Sequence, residues 1–159
     1  MTAPARPSVG DTLPELRLEV TTTFVVSTAI ATRDFQDVHH DRDAAVARGS
    51  KDIFLNILTT TGLVQRCVTD WAGPRVRVRG VRVRLGVPCY AGDTLVLGGR
   101  VVAVGAGSGT DSANGAANGA ANGSGHGSQN GAGDDVVVEV VGRCGLGDHV
   151  TGQVRLGWA

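Results

Sequence analysis

The sequence predicts an α+β domain in which a five-stranded antiparallel sheet wraps around one long helix. Two observations lead there. Apolar runs of strand character, alternating or rich in β-branched residues, recur at 23–31, 75–85, 94–104, 135–143 and 149–158. A single long stretch, Ile53 to Thr69, instead carries Phe54, Ile57, Leu58, Val64 and Val68 at near-helical spacing. Five strands around one long helix suit an antiparallel sheet wrapped on that helix.

The elements follow in order. Thr23 to Ala31 reads as the first strand. Asp41 is placed to N-cap a short helix, Arg42 to Arg48, which Gly49 ends. The long helix comes next, and Gly62 within it is expected to permit close packing. Arg75 to Leu85, continuing to Val87, reads as the second strand. Its valines occupy positions 76 and 78, then 81 and 83, so their parity switches at Gly80. That switch predicts a β-bulge and suggests that Arg75, Arg77, Arg79, Arg82 and Arg84 do not share one stripe. Thr94 to Val104 and Asp135 to Arg143 are the next strands. In His149 to Trp158 the residues Val150, Val154, Leu156 and Trp158 alternate with Thr151, Gln153 and Arg155.

A chain of 159 residues suits one domain. Residues 1–10 read as a flexible N-terminus, and 11–159 as the domain. Residues 106–134 interrupt it with Gly/Ala/Asn repeats that hold no bulky apolar side chain and cannot offset the entropy of ordering. They are expected to form a disordered insertion in a hairpin loop, in which His126 is a solvated linker residue. Lengthening a loop from about 4 to about 28 residues costs only about 1.7 kcal/mol. Basic and acidic residues both number 15, leaving no net field for nucleic acid or an anionic membrane. No apolar run approaches the roughly 18 residues of a membrane span, and no signal peptide is visible, so a cytoplasmic protein is expected. Cys67, Cys89 and Cys144 are odd in number and fit no CxxC spacing; buried free thiols are expected, and no metal site.

The chemistry gathers in Arg33-Asp34-Phe35-Gln36-Asp37-Val38-His39-His40-Asp41. An acid and two imidazoles fall between one element and the next, where a turn can hold charged groups half out of water. Asp34 and His39 would diverge by roughly 140° in an unbroken helix, so sharing one water requires an irregular turn. Taken singly, Asp34 reads more readily as a capping carboxylate and His39 as a packed turn histidine; their matched context favours the chemical reading. Asp37 reads as a turn cap, His40 as a partner of the surrounding loop, and Asp41 as a cap alone.

The Asp-x-x-x-x-His spacing before an Asp-capped helix resembles the hydratase motif of MaoC-like enoyl-CoA hydratases, which have the hotdog fold. Pro88-Cys89-Tyr90-Ala91-Gly92-Asp93-Thr94-Leu95 is similar to the same family's Pro-x-x-x-Gly-Asp-x-Leu turn. More narrowly, residues 31–41, Gly49 to Phe54 and Thr69 to Pro74 resemble the small subunits of heteromeric steroid enoyl-CoA hydratases of actinobacterial cholesterol side-chain degradation. The likeness spans about residues 13–105 and 135–157.

The resemblance implies that Asp34 and His39 share the proton transfers of a syn hydration of a steroid 2-enoyl-CoA. It also implies that a backbone N–H at the start of the long helix stabilises the enolate oxygen. The family's His-Gly-Met-like segment here reads Leu55-Asn56-Ile57, so that donor falls on Asn56, where the family has glycine. No cofactor is implied, because coenzyme A belongs to the substrate. Arg82 and Arg84 are candidates for its phosphates, against the alternative of a solvated or subunit-facing strand. The implied partners are a second MaoC-like subunit in an α2β2 heterotetramer and a thiolase-like aldolase docked through that subunit's OB-fold-type domain. Trp71, Trp158 and the arginine-rich strand are candidate contacts. Two other functions compete: a non-catalytic hotdog scaffold and a hotdog acyl-CoA thioesterase.

Overall fold

The computed structural model describes residues 7–106 and 134–158. Residues 1–6 and 107–133, which hold most of the expected flexible start and insertion as well as His126, lie outside the described residues. The elements are β1 (Leu16–Glu19), α1 (Thr22–Ala31), a 3₁₀ turn (Asp37–His39), α2 (Arg42–Ala47) and α3 (Ile57–Ala72). The strands β2 (Val76–Leu85), β3 (Thr94–Ala106), β4 (Asp134–Cys144) and β5 (Gly147–Trp158) complete the set. They form one sheet in the order β1-β3-β4-β5-β2, every neighbouring pair antiparallel. The α3 helix packs on one face of it, touching β2, β3, β4 and β5. This is a single hotdog domain.

Five strands were expected and the described residues form five, but one member differs. Thr23 to Ala31 is not a strand; it is the helix α1. Its buried residues are Val25 and Ala29, four apart, a helical rather than a two-residue period. Local bonds overcome its β-branched composition. The Thr21 side chain caps Phe24 N–H, and the Thr28 and Thr32 hydroxyls donate back to the carbonyls of Phe24 and Thr28 at 2.8 Å. The true first strand is the short β1, whose Leu16 and Leu18 alternate inward with Arg17 and Glu19 outward.

The long helix starts four residues later than expected. Asn56 is its N-cap, accepting from Thr59 N–H at 2.8 Å, and Gly73 at φ 79° closes it. Ile53, Phe54 and Leu55 form an extended lead-in, bridged to the turn before β3 through Phe54 and Tyr90. The core-facing stripe is therefore Thr60, Leu63, Val64, Cys67, Val68 and Ala72. Ile57 and Leu58, part of the apolar helical pattern in the sequence, are about half exposed. A Cβ at Gly62 would meet only open space, so that glycine does not serve close packing. Opposite the stripe, Leu95, Leu97, Val101, Val136, Val138, Val140, Val150, Val154 and Leu156 are all buried. Each such Val or Leu contributes about 1.5–3 kcal/mol when removed from water.

The bulge expected at Gly80 is present, with the β2–β5 register shifting between Val78 and Gly80. Its consequence is the reverse of the one expected. The extra residue restores the inward direction of Val81 and Val83, so all four valines pack on the core and all five arginines are exposed. A parity switch in the sequence and a bulge in the backbone cancel, leaving one outward stripe.

His149 is a core residue that drew no attention in the sequence. It is 1% exposed, its Nδ1–H donates to Val87 O at 2.7 Å, and Nε2 accepts from the Thr60 hydroxyl at 2.9 Å. Burial holds its pKa below the ordinary 6.5, with the Val87 bond and Asp93 opposing. The folded chain thus binds this proton less readily than the unfolded one. Its stabilising contribution is complete above about pH 6.5 and declines as pH falls toward the lower folded value. Urea midpoints should drop between about pH 7.5 and about pH 5, and His149→Gln should flatten that part of the slope. An unchanged slope in the variant would mean that other groups carry it.

Candidate active site

Three local devices bring Asp34 and His39 together. The first is the end of α1. Arg33 takes the left-handed conformation, φ 56°, while Arg33 N–H donates to Ile30 O and Asp34 N–H to Ala29 O, both at 3.0 Å. That is a Schellman motif with arginine where glycine is usual, and it turns the chain sharply at Asp34. Next, Gln36 is extended and the 3₁₀ turn Asp37–His39 follows, fixed by His39 N–H to Gln36 O at 3.0 Å. The third is the lead-in to α3, whose Phe54 carbonyl receives the His39 ring. The irregular turn demanded by the five-residue spacing is present.

The resulting geometry brings His39 Nε2 within 3.5 Å of Asp34 Oδ2, with side chains 7% and 19% exposed. His39 Nδ1 lies 2.8 Å from Phe54 O. A carbonyl only accepts, so Nδ1 carries a proton, and in the neutral tautomer that this allows the Nε2 lone pair faces Asp34. A carboxylate and an imidazole lone pair have no proton to share directly. Water can donate to both from a point about 2.8 Å from each atom, a geometry that the 3.5 Å separation allows. The ring is further held edge-on by Phe54 at 5.0 Å, and Phe54 by Tyr90 at 6.1 Å.

Asn56 belongs to the same constellation. Its Nδ2 donates to the Thr32 hydroxyl at 2.8 Å, two residues before Asp34, while its Oδ1 caps α3. One side chain thereby ties the N-terminus of α3 to the C-terminus of α1. The N-terminus of α3, where the helix dipole is positive, is thereby anchored two residues from Asp34. Among the described residues, none accepts a bond from the Asn56 backbone N–H. Thr59 Oγ1 on the same turn is buried and has no partner among the described residues. Ile30, Phe35, Ile57 and Leu58 are exposed on these segments, and Phe35 is 66% exposed.

The other sequence candidates separate from this group. Asp41 caps α2 by accepting Ala44 N–H at 3.0 Å, as expected. Asp37 pairs with Arg48, so its carboxylate fixes α2 rather than capping its own turn. His40 Nε2 lies 3.1 Å from Phe35 O, within its own loop. Arg82 and Arg84 stand on the outer face of the sheet, in a groove of about 450 Å³ shared with Glu139, Thr151 and Gln153. Asp34 and His39 are on the helix side, so the fold does not bring these arginines to them. The two tryptophans pack on each other, centroids 5.7 Å apart, at the end of α3 and β5. Sequence reasoning missed the Asn56–Thr32 bond; Asn56 as an N-cap residue was the available signal. No helix among the described residues is long and apolar enough to cross a membrane.

The same fold recurs in known proteins. A (R)-hydratase from A. caviae involved in PHA biosynthesis superposes with a TM-score of 0.74 over 98% of this chain and 100% of that one, at only 14% identity. The ChsH1-ChsH2 complex from Mycobacterium tuberculosis contains a chain that matches at TM-score 0.76 and 51% identity, over 97% of this chain and 100% of that one. In sequence, the chain is 53% identical over 148 residues to the 3-oxo-4,17-pregnadiene-20-carboxyl-CoA hydratase beta subunit of M. tuberculosis (strain ATCC 25618 / H37Rv), covering 93% of this chain and 94% of that one. The MaoC like domain model matches residues 8–122, which include the Asp34–His39 turn, α3 and the Pro88–Leu95 turn. By that match and that identity, the chain belongs to the MaoC-like domain family.

Proposed function

We propose that this chain is the catalytic subunit of an enoyl-CoA hydratase that adds water to the 2-enoyl thioester of a steroid side chain, giving the 3-hydroxyacyl-CoA. The observation that carries the reading is the 3.5 Å approach of Asp34 Oδ2 and His39 Nε2, with Nδ1 already committed to Phe54 O. The steroid class rests on the relative named as a pregnadiene-carboxyl-CoA hydratase beta subunit. In a 4,17-diene carrying its thioester on C20, the 17-ene is conjugated with the carbonyl. Water oxygen would join C17 and a proton would join C20.

The reaction requires no net proton from the protein. The Asp34/His39 pair takes one proton from water as oxygen attacks Cβ, and returns it to Cα on the same face. Negative charge collects on the thioester oxygen. Asn56 N–H, at the positive end of α3, is the donor assigned to it. A second MaoC-like subunit completes the pocket, in keeping with the heteromeric names of the relatives. The exposed Ile30, Phe35, Ile57 and Leu58 supply apolar wall for a ring system.

The test is turnover by the purified complex. Loss of enoyl-thioester absorbance without release of free thiol supports hydration. Thiol release would assign a thioesterase. Full turnover by a complex carrying both Asp34→Asn and His39→Ala would reduce this chain to a scaffold.

A further inference from the structure

Away from the acid–base pair, two sulfurs and a carboxylate converge. The Sγ atoms of Cys89 and Cys144 and a carboxylate oxygen of Asp93 all lie within 4.8 Å of one another. Cys89 and Asp93 belong to the turn between β2 and β3, whereas Cys144 ends β4, so long-range folding assembles the group. We propose that Cys89, Asp93 and Cys144 bind one soft divalent cation of the zinc class, a structural site separate from the proposed hydration chemistry.

The donor set favours such an ion. Two thiolates and one carboxylate suit zinc or cadmium and not calcium or magnesium, which prefer oxygen throughout. Zinc bonds of about 2.3 Å to sulfur and about 2.0–2.2 Å to oxygen put tetrahedral ligands somewhat under 4 Å apart. The three atoms therefore need close by no more than about 1.2 Å. Cys89 is fully buried, while Cys144 and Asp93 are partly exposed and leave an approach for a water as fourth ligand.

The surroundings are already oriented. Asp93 accepts Tyr90 N–H at 2.9 Å through Oδ2, the kind of outer bond that fixes a ligating carboxylate. Cys144 Sγ sits 3.6 Å from Pro88 O, beside Cys89. Burial, then the neighbouring Cys144 and Asp93, push the Cys89 thiol above its ordinary range. A cation would displace both thiol protons to solvent and form two metal–sulfur bonds and one metal–oxygen bond, with no change of oxidation state.

Such an ion would fasten a shelf that supports the acid–base pair from behind. Cys89 O accepts Leu55 N–H and Ile53 O accepts Ala91 N–H, both at 3.0 Å. Between them Tyr90 meets Phe54, which meets His39. The ion is thus expected to raise thermal stability while leaving turnover nearly unchanged.

Cadmium is the probe, titrated into the full chain purified under reducing conditions with its partner subunit. The expected result is a thiolate-to-cadmium absorption band that saturates at one ion per chain and is competed by zinc, with a raised melting temperature. Cys144→Ser should abolish the band. Asp93→Asn, which keeps an oxygen for Tyr90 N–H, should weaken binding at least tenfold in a chain that still melts cooperatively. Cys67→Ser, a thiol outside the cluster, should bind normally. A band absent from the wild type, or one that persists in Cys144→Ser, overturns the proposal. So does mild peroxide joining Cys89 to Cys144 in a chain that takes up no cadmium, which would mark a redox pair instead.

Discussion

Asp34→Asn lowers kcat/KM for enoyl-CoA hydration by about 10²–10⁴-fold, the range for loss of a positioned acid–base group. The substitution is close to isosteric. The new amide would keep an oxygen for the weak 3.4 Å contact with Gln36 N–H, so the turn should survive. What changes is the face toward His39. An NH₂ group turned that way would donate to the Nε2 lone pair and hold it, leaving no base for water. His39→Ala should cost a similar factor in rate. It should also cost about 1–3 kcal/mol of stability, because the Phe54 carbonyl loses its donor and Phe54 loses an edge-on neighbour. The double variant is the sharper measurement. Two groups acting on one water behave as a unit, so its rate should match the slower single variant. Multiplied effects would show that the residues act independently, and a loss under about tenfold in each single variant would remove both from the chemistry.

The sequence made the acid–base turn legible because its constraint is local. A separation of five positions from acid to imidazole excludes a regular helix, and the Arg33 turn with the 3₁₀ segment is the solution found. The four later strands were readable for a related reason, since β-branched residues alternate cleanly over buried faces such as Val150, Val154 and Leu156. Thr23 to Ala31 misled because propensity and burial disagree there: its composition suits a strand, while Val25 and Ala29 bury with helical period and Thr21 caps the start. Tertiary packing overrides propensity in such a segment. The start of α3 was misjudged because Ile53 and Leu55 are buried by extended pairing against the Cys89–Ala91 turn, which spacing along one chain cannot reveal. The Cys89, Asp93 and Cys144 cluster was invisible for the same reason, its members lying up to 55 positions apart. Arginine parity in β2 was read correctly residue by residue. It was interpreted wrongly because a bulge and a parity switch were treated as one effect and not as two that cancel.

The oxyanion assignment yields the second large effect. Asn56→Pro is expected to lower kcat about 10²–10³-fold relative to Asn56→Gly, the loss of one preorganised donor worth about 2.7–4 kcal/mol. The comparison isolates the backbone N–H. Both variants remove the amide that caps Thr59 N–H and holds the Thr32 hydroxyl, so both lose the same side-chain contacts. Asn56 sits at φ −81° and ψ 164°, close to what proline adopts, and its N–H serves no acceptor among the described residues. Leu55 before it already belongs to the extended lead-in, the conformation that a following proline favours. Proline therefore deletes the donor with little distortion of the helix start. Glycine keeps the donor and restores the residue that the family's motif carries, so its rate should stay within about tenfold of the parent. If the proline and glycine variants turn over equally, the enolate oxygen is held elsewhere, and the first-turn N–H groups beyond Asn56 become the positions to test.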